Sequence, residues 1–301
     1  MKKGDSTILA IGFVLLWNSG FVGAEYALPY TGPFTLLFWR YLALTIVVFG
    51  FLLVTKRFRW VGWKVAGPNM LIGVLAHGVW LTCVLLALDN GVPAGIVALV
   101  VALQPLITGA LSGRYVGEQT NNYQWIGLVI GFLGVALTVG FRMDFNNYTS
   151  IFSYLIPLGS VVAITIANLI QRRMDVKKMK SKLPLIPALF YQSLATTLAL
   201  ALPAIFIEKL STQWPPEFIY TMIWLILGVS LGAYALMYLL IDRLDATRVA
   251  CLFYLGPPAT MLMAWIAFGD KVKIMDVVGI VLVAIGVLFI QLNARRASYA
   301  P

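Results

Sequence analysis

The stretch from Ala94 to Val135 occurs twice in this chain. Moved forward by about 152 positions, it lands without a gap on Ala246 to Val287. Ala94 meets Ala246, Pro105 meets Pro257, Thr108 meets Thr260, and Gly117-Glu118 meets Gly269-Asp270. Gly127 then meets Gly279, and Gly134-Val135 meets Gly286-Val287. The same offset carries Phe38, Leu42, Ala43 and Thr45 onto Phe190, Leu194, Ala195 and Thr197. An apolar composition aligns leucines and valines at any offset, but it does not keep a proline, a glycine-acid pair and spaced glycines in register. The chain is an internal duplication, and whatever fold it adopts must be built from two similar halves.

The solvent for that fold follows from composition. Hydrophobic residues make up 60% of the chain and charged residues 11%, and mean hydropathy is +0.89. Apolar runs of roughly 20 residues recur, each long enough as a helix to cross a hydrocarbon core of ~30 Å. The net charge of +10 sits in short loops between those runs, so it reads as membrane topology and no nucleic-acid partner is expected. Cys83 and Cys251 both fall inside apolar runs and imply packed thiols, not a disulfide framework.

Ten helices are expected, with residues 7–141 as the first repeat and 150–292 as the second. In the first, helix 1 covers about 7–28, helix 2 about 34–54, helix 3 about 68–88, helix 4 about 93–113 and helix 5 about 123–141. In the second, helix 6 covers about 150–171, helix 7 about 184–207, helix 8 about 218–241, helix 9 about 246–268 and helix 10 about 273–292. Five crossings per repeat, an odd number, thread the second copy upside down relative to the first. The basic residues agree. Lys2, Lys3, Lys56, Arg57, Arg59, the Lys177–Lys182 loop, Arg295 and Arg296 fall on one side, and Arg142, Lys209, Lys271 and Lys273 on the other. By the positive-inside rule both termini are cytoplasmic. The expected fold is an all-α integral membrane protein of ten transmembrane helices arranged as two inverted five-helix repeats, the plan on which secondary transporters build two gates around one site.

The opening LLWNSGFVGAEYALPYTGPFTLLFWRYLAL resembles the first two helices of EamA-type proteins of the drug/metabolite transporter superfamily. So do VALQPLITGALSGRYVGEQTNNYQWIGLVIGFLGVALTV and its second copy LGPPATMLMAWIAFGDKVKIMDVVGIVLVAIGVLFI. The resemblance covers about residues 7–292 and implies ten helices, alternating access, and transport of amino acids, drugs or other metabolites. Many members are exporters of bacterial inner membranes, which makes that membrane the expected location.

Polar groups inside a membrane are costly, so each is a functional candidate. The expected substrate-binding set is Trp17, Asn18, Arg40, His77, Gln104, Asn168, Gln192, Tyr234, Tyr238 and Tyr254. Glu25, Pro105 and Pro257 are gating or hinge candidates, the prolines because they free backbone carbonyls at equivalent depths in helices 4 and 9. Arg40 lies roughly 10 Å into helix 2 and needs an anionic or carbonyl partner. Glu25 lies on helix 1 on the same side of the membrane, at a depth that differs by roughly 6 Å, a gap two long side chains can close, so the expectation is that Glu25 holds Arg40 until a substrate carboxylate competes for it. His77, the single histidine, permits proton or ion coupling.

No metal or cofactor is expected, since one histidine and two distant cysteines give no zinc spacing. No Walker motif is present, so no ATP motor is expected, and no enzyme activity is expected either. The leading expectation is a transporter of a small metabolite, amino acids first and in the direction of export. A nucleotide-sugar, phosphate-ester or drug carrier of the same fold is the alternative, and a membrane-embedded enzyme or receptor-like scaffold a distant one.

Overall fold

A computed structural model describes residues 3–116, 122–142, 148–177, 179, 181–243 and 252–297. The first half contains α1 (Lys3–Ala27), α2 (Pro33–Val54), α3 (Trp63–Asp89), α4 (Ala94–Val101 and Gln104–Val116) and α5 (Asn122–Arg142). The second contains α6 (Tyr148–Val176), α7 (Leu185–Phe206), α8 (216–243), α9 (Gly256–Phe268) and α10 (Ile274–Ala297). Among the described residues seven helices are long and apolar enough to cross a membrane. Three shorter apolar helices, Ala94–Thr108, Phe253–Phe268 and Ile274–Gly286, stand where the repeat places its fourth, ninth and tenth spans. Glu118, Lys178, Lys180 and Cys251 lie outside the described residues.

The packing repeats with the sequence. The two largest helix contacts join α5 to α10 and α2 to α7, helices equivalent under the duplication. The other main pairs exchange with one another or with themselves: α3 with α6 corresponds to α8 with α1, and α4 packs on α9. Equivalent helices also run antiparallel. Thr138 Oγ1 donates to Met275 O at 3.0 Å, Gly134 faces Gly279, and Gly127 faces Gly286, so one index falls as the other rises. Between α2 and α7, Thr45 Oγ1 meets its own counterpart Thr197 Oγ1 at 3.4 Å. Antiparallel equivalent helices meeting at self-paired residues are the signature of an inverted repeat.

Small residues let these helices approach. A Cβ at Gly134 would stand 2.8 Å from the Gly279 carbonyl oxygen, and one at Gly279 would meet Gly134 O at the same distance. This is the small-residue packing that replaces hydrophobic attraction in lipid. The apolar surface faces outward instead, with Val54, Phe206 and Ile274 all more than two-thirds exposed. Several buried hydroxyls are satisfied on their own helix: Thr45 donates to Tyr41 O at 2.7 Å, Ser160 to Pro157 O at 2.6 Å and Thr197 to Ser193 O at 2.9 Å.

Each end of the bundle is tied across the repeats. At the end away from the N-terminus, Thr31 pairs with Thr212 in an isolated bridge, and Gln213 N donates to Tyr30 O at 2.9 Å. There the Glu208 carboxylate caps α2, accepting from Phe34 N at 3.1 Å and Thr35 N at 2.7 Å. Trp39 Nε1 donates to Thr212 Oγ1 at 3.2 Å. Tyr191, the counterpart of Trp39, reaches the opposite end, where its hydroxyl donates to Arg59 O at 3.3 Å. Among the described residues one ion pair forms, between Arg142 of α5 and Asp276 of α10, and Arg142 Nη2 also donates to Lys271 O at 2.9 Å.

Helix 3 begins at Trp63, not near Pro68 as expected. Pro68 falls early in the helix, where the carbonyl it leaves without a donor is that of Lys64 in the exposed first turn. The prolines expected to kink helices 4 and 9 sit elsewhere in the geometry. The fourth span breaks at Ala102-Leu103, and Pro105 lies in the first turn of the segment that follows. Pro257 likewise opens α9 after a 3-10 turn over Phe253–Leu255. Both occupy positions where a missing N–H leaves no helical bond unmade.

Candidate substrate cavity

Two spans, α3 and α8, are not regular. In α3 the register loosens to a π-helix over Val74–Val79, and in α8 over Trp224–Ala233. These are equivalent places in the two repeats, and π-bulges commonly mark functional positions. Each carries a polar side chain that bonds across the repeats. His77 of the first stretch meets Gln192 of α7, Nε2 to Oε1, at 3.2 Å. Ser230 of the second accepts from Arg40 Nε of α2 at 3.0 Å. Arg40 and Gln192 are duplication partners, so the same position in each copy reaches into the other repeat's π stretch, at residues one place apart: His77 matches Val229, and Ser230 matches Gly78. Gly73 permits this approach: a Cβ there would stand 2.7 Å from the Gln192 carbonyl carbon. The Thr196 hydroxyl donates to Gly73 O at 2.9 Å just where the π stretch begins.

Between these bonds lies a cavity partly open to its surroundings, with about 620 Å³ of space when its open mouth is counted. Trp17, Gly20, Phe21 and Ala24 of α1, Arg40, Tyr41 and Leu44 of α2, and His77, Trp80, Leu81, Val84 and Leu85 of α3 line it. Val229, Ser230 and Tyr234 of α8 and Leu189 of α7 close it. The aromatic rings form one connected wall. Trp17 packs on Tyr234 with centroids 5.3 Å apart, Tyr234 on His77 at 6.1 Å, and His77 on Tyr41 at 5.4 Å. The Arg40 guanidinium sits 5.9 Å from the Tyr41 ring centroid and is 6% exposed.

Of the expected site residues, Trp17, Arg40, His77 and Tyr234 line this cavity, and Gln192 stands behind His77. Others have other work. Asn18 is buried against α9, its Nδ2 donating to Val14 O at 2.7 Å and its Oδ1 accepting from Thr260 Oγ1 at 3.2 Å. Gln104 donates to Thr108 Oγ1 within α4 at 3.2 Å. Asn168 is half-buried on α6, and Tyr254 packs against the main core. Neither belongs to the lining. The Tyr238 side chain lies outside the described residues.

The expected pairing of Glu25 with Arg40 is not made. Arg40 is bonded to Ser230, while Glu25 Oε2 is buried without a hydrogen-bond partner. Tyr41, Trp80 and Ser230 were not expected in the site. Their one sequence signal is local: Tyr41 follows Arg40, and Ser230 lies between Gly228 and Gly232.

A second, smaller cavity of about 230 Å³ lies beside the Arg142–Asp276 pair and includes Asp270. Burial pushes the Asp270 carboxyl above its ordinary value of 3.8, against the opposing pull of Arg142. Among the described residues no group of three or more His, Cys, Asp or Glu is placed to hold a metal ion.

The chain is similar to known proteins along its whole length. It is 23% identical to the Uncharacterized transporter YvbV of Bacillus subtilis, covering 100% of this chain and 96% of that one. The protein named "Probable amino-acid metabolite efflux pump" in Escherichia coli K12 is 21% identical, with 98% and 97% covered. The Uncharacterized inner membrane transporter YedA of Escherichia coli K12 is 30% identical over 49% of this chain and 47% of its own length. A solved crystal structure superposes with a TM-score of 0.67 at 20% identity, covering 98% of this chain and 99% of that chain, which is a likeness of fold. The profile of the EamA-like transporter family matches residues 6–140 and matches again over 151–292. One profile fitting both halves of a duplicated membrane bundle, with a cavity between those halves, assigns the chain: it belongs to the EamA-like transporter family.

Proposed function

We propose that the protein is a secondary transporter that moves an amino acid or a related small carboxylate by alternating access around this cavity, in the direction of export. It does so in a bacterial inner membrane, with both termini in the cytoplasm, and performs no chemistry on its cargo. The observation that carries this reading is Arg40, a buried guanidinium on the cavity wall that is paired with no carboxylate among the described residues. A guanidinium presents a planar fork that matches a carboxylate in two places. The name of the Escherichia coli relative, an amino-acid metabolite efflux pump, points the same way. A nucleotide-sugar or phosphate-ester cargo is less well served, because one cation lines the cavity and a phosphate calls for several.

The test is uptake of radiolabelled amino acids and organic acids into proteoliposomes that contain this protein alone, with and without an imposed proton gradient. Accumulation that the Arg40→Gln variant loses supports the reading. Release of altered cargo, or no uptake of any carboxylate, sinks it.

A further inference from the structure

The cavity has a lopsided inventory of polar groups. Among the described residues its lining contains no aspartate, glutamate or lysine, and Arg40 is the one full charge. Of the five N–H groups on that guanidinium, Nε–H is donated to Ser230. Trp80, another lining residue, has a buried indole N–H with no acceptor. The Tyr41 and Tyr234 hydroxyls on the wall can donate as well as accept, so the strongest groups of this wall are donors, and an anion is what donors in a low-dielectric site select. The remaining wall is apolar or aromatic, contributed by Trp17, Phe21, Leu81, Leu85 and Val229.

Resting on the carboxylate-transport reading above, we propose that the cavity grips one carboxylate and an apolar body, and that the ammonium of an amino acid is not bound. The preferred class is then apolar monocarboxylates without a cationic group, 2-oxo acids ahead of the corresponding amino acids. An ammonium attached to the carbon next to the carboxylate would lie within a few ångströms of the Arg40 guanidinium, about half a Debye length. Like charges at that range repel, and no acid among the described residues of the wall offsets them. Besides the neutral Tyr41 and Tyr234 hydroxyls, two acceptors compete with this reading. His77, with Nε2 engaged by Gln192, has Nδ1 to offer, and Glu25 follows the lining residue Ala24 on α1. Glu25 is turned roughly 100° round the helix from Ala24 and is not part of the wall.

Three probes share one body and differ in the head group: phenylpyruvate, L-phenylalanine and 2-phenylethylamine. Their affinities for the purified full-length protein, measured by calorimetry near neutral pH, decide the matter. Phenylpyruvate should bind about tenfold more tightly than phenylalanine, and the amine should not bind. Arg40→Gln should cost phenylpyruvate more than about tenfold, and Arg40→Lys several-fold, since a point charge replaces the fork. The comparison among probes uses the parent protein, so it survives if a variant fails to fold. Phenylalanine binding as tightly as phenylpyruvate, or any measurable binding of the amine, overturns the inference. If phenylalanine binds as tightly and then loses affinity in Glu25→Gln or His77→Asn while phenylpyruvate does not, the ammonium acceptor is identified and the transport reading stands. If none of the three binds, the inference is wrong, and proteoliposome uptake judges the transport reading separately.

Discussion

At the scale of single residues, the membrane makes polar side chains conspicuous. Arg40 and His77 could be picked from the sequence because an apolar span tolerates such groups only for a reason, and both line the cavity. Their partners could not be picked. The sequence gives depth along a helix but not direction around it, so Glu25 looked as close to Arg40 as any residue. The structure chose Ser230, a serine marked in the sequence only by the glycines on either side of it. Glu208 was equally silent, because its role depends on a loop from the second half arriving at the N-terminus of α2. Glu208→Gln keeps the shape but removes the charge that complements the helix end. It should lower stability by about 1 kcal/mol, in line with the loss of a good cap. Thermal unfolding in detergent reads this directly, with an unchanged midpoint as the contrary result.

At the scale of elements, the helices were legible within a few residues and their internal irregularities were not. Apolar length fixes a span, but a π stretch needs a register slip that no periodicity announces, and both Val74–Val79 and Trp224–Ala233 passed as ordinary helix. The glycine pairs were more informative, because spaced glycines in a lipid-facing helix signal close approach. Gly134→Ala and Gly279→Ala each put a methyl group 2.8 Å from a backbone oxygen of the partner helix. Each should destabilise by about 1–3 kcal/mol, the usual cost of overpacking. Gly140→Ala, in the same α5 with nothing within 4 Å, is the control and should be tolerated. Equal effects at all three positions would remove the packing argument. Pro105 and Pro257 each open a helical segment after a break. If those breaks flex during transport, Pro105→Ala and Pro257→Ala should leave protein levels intact and slow proteoliposome uptake severalfold, whereas a passive break predicts parental rates.

At the scale of the whole molecule, the duplication carried the most information. It anticipated two similar halves, and the packing of α2 on α7 and of α5 on α10 is the form those halves take. The orientation of the bundle in the membrane remains to be measured. Single cysteines at Lys180 and Lys271, in a background without Cys83 and Cys251, should label from opposite faces, with Lys180 facing the cytoplasm. Labelling of both from one face would contradict the charge-based topology. The self-paired contact between Thr45 and Thr197 bears on the whole bundle. A residue that touches its own counterpart across an axis is what an isologous homodimer interface contains. The two halves of this chain therefore meet as the subunits of a symmetric dimer would, joined into one polypeptide. Joined copies need not be identical, and the cavity uses that freedom: where one copy has the amide of Gln192, the other has the charge of Arg40.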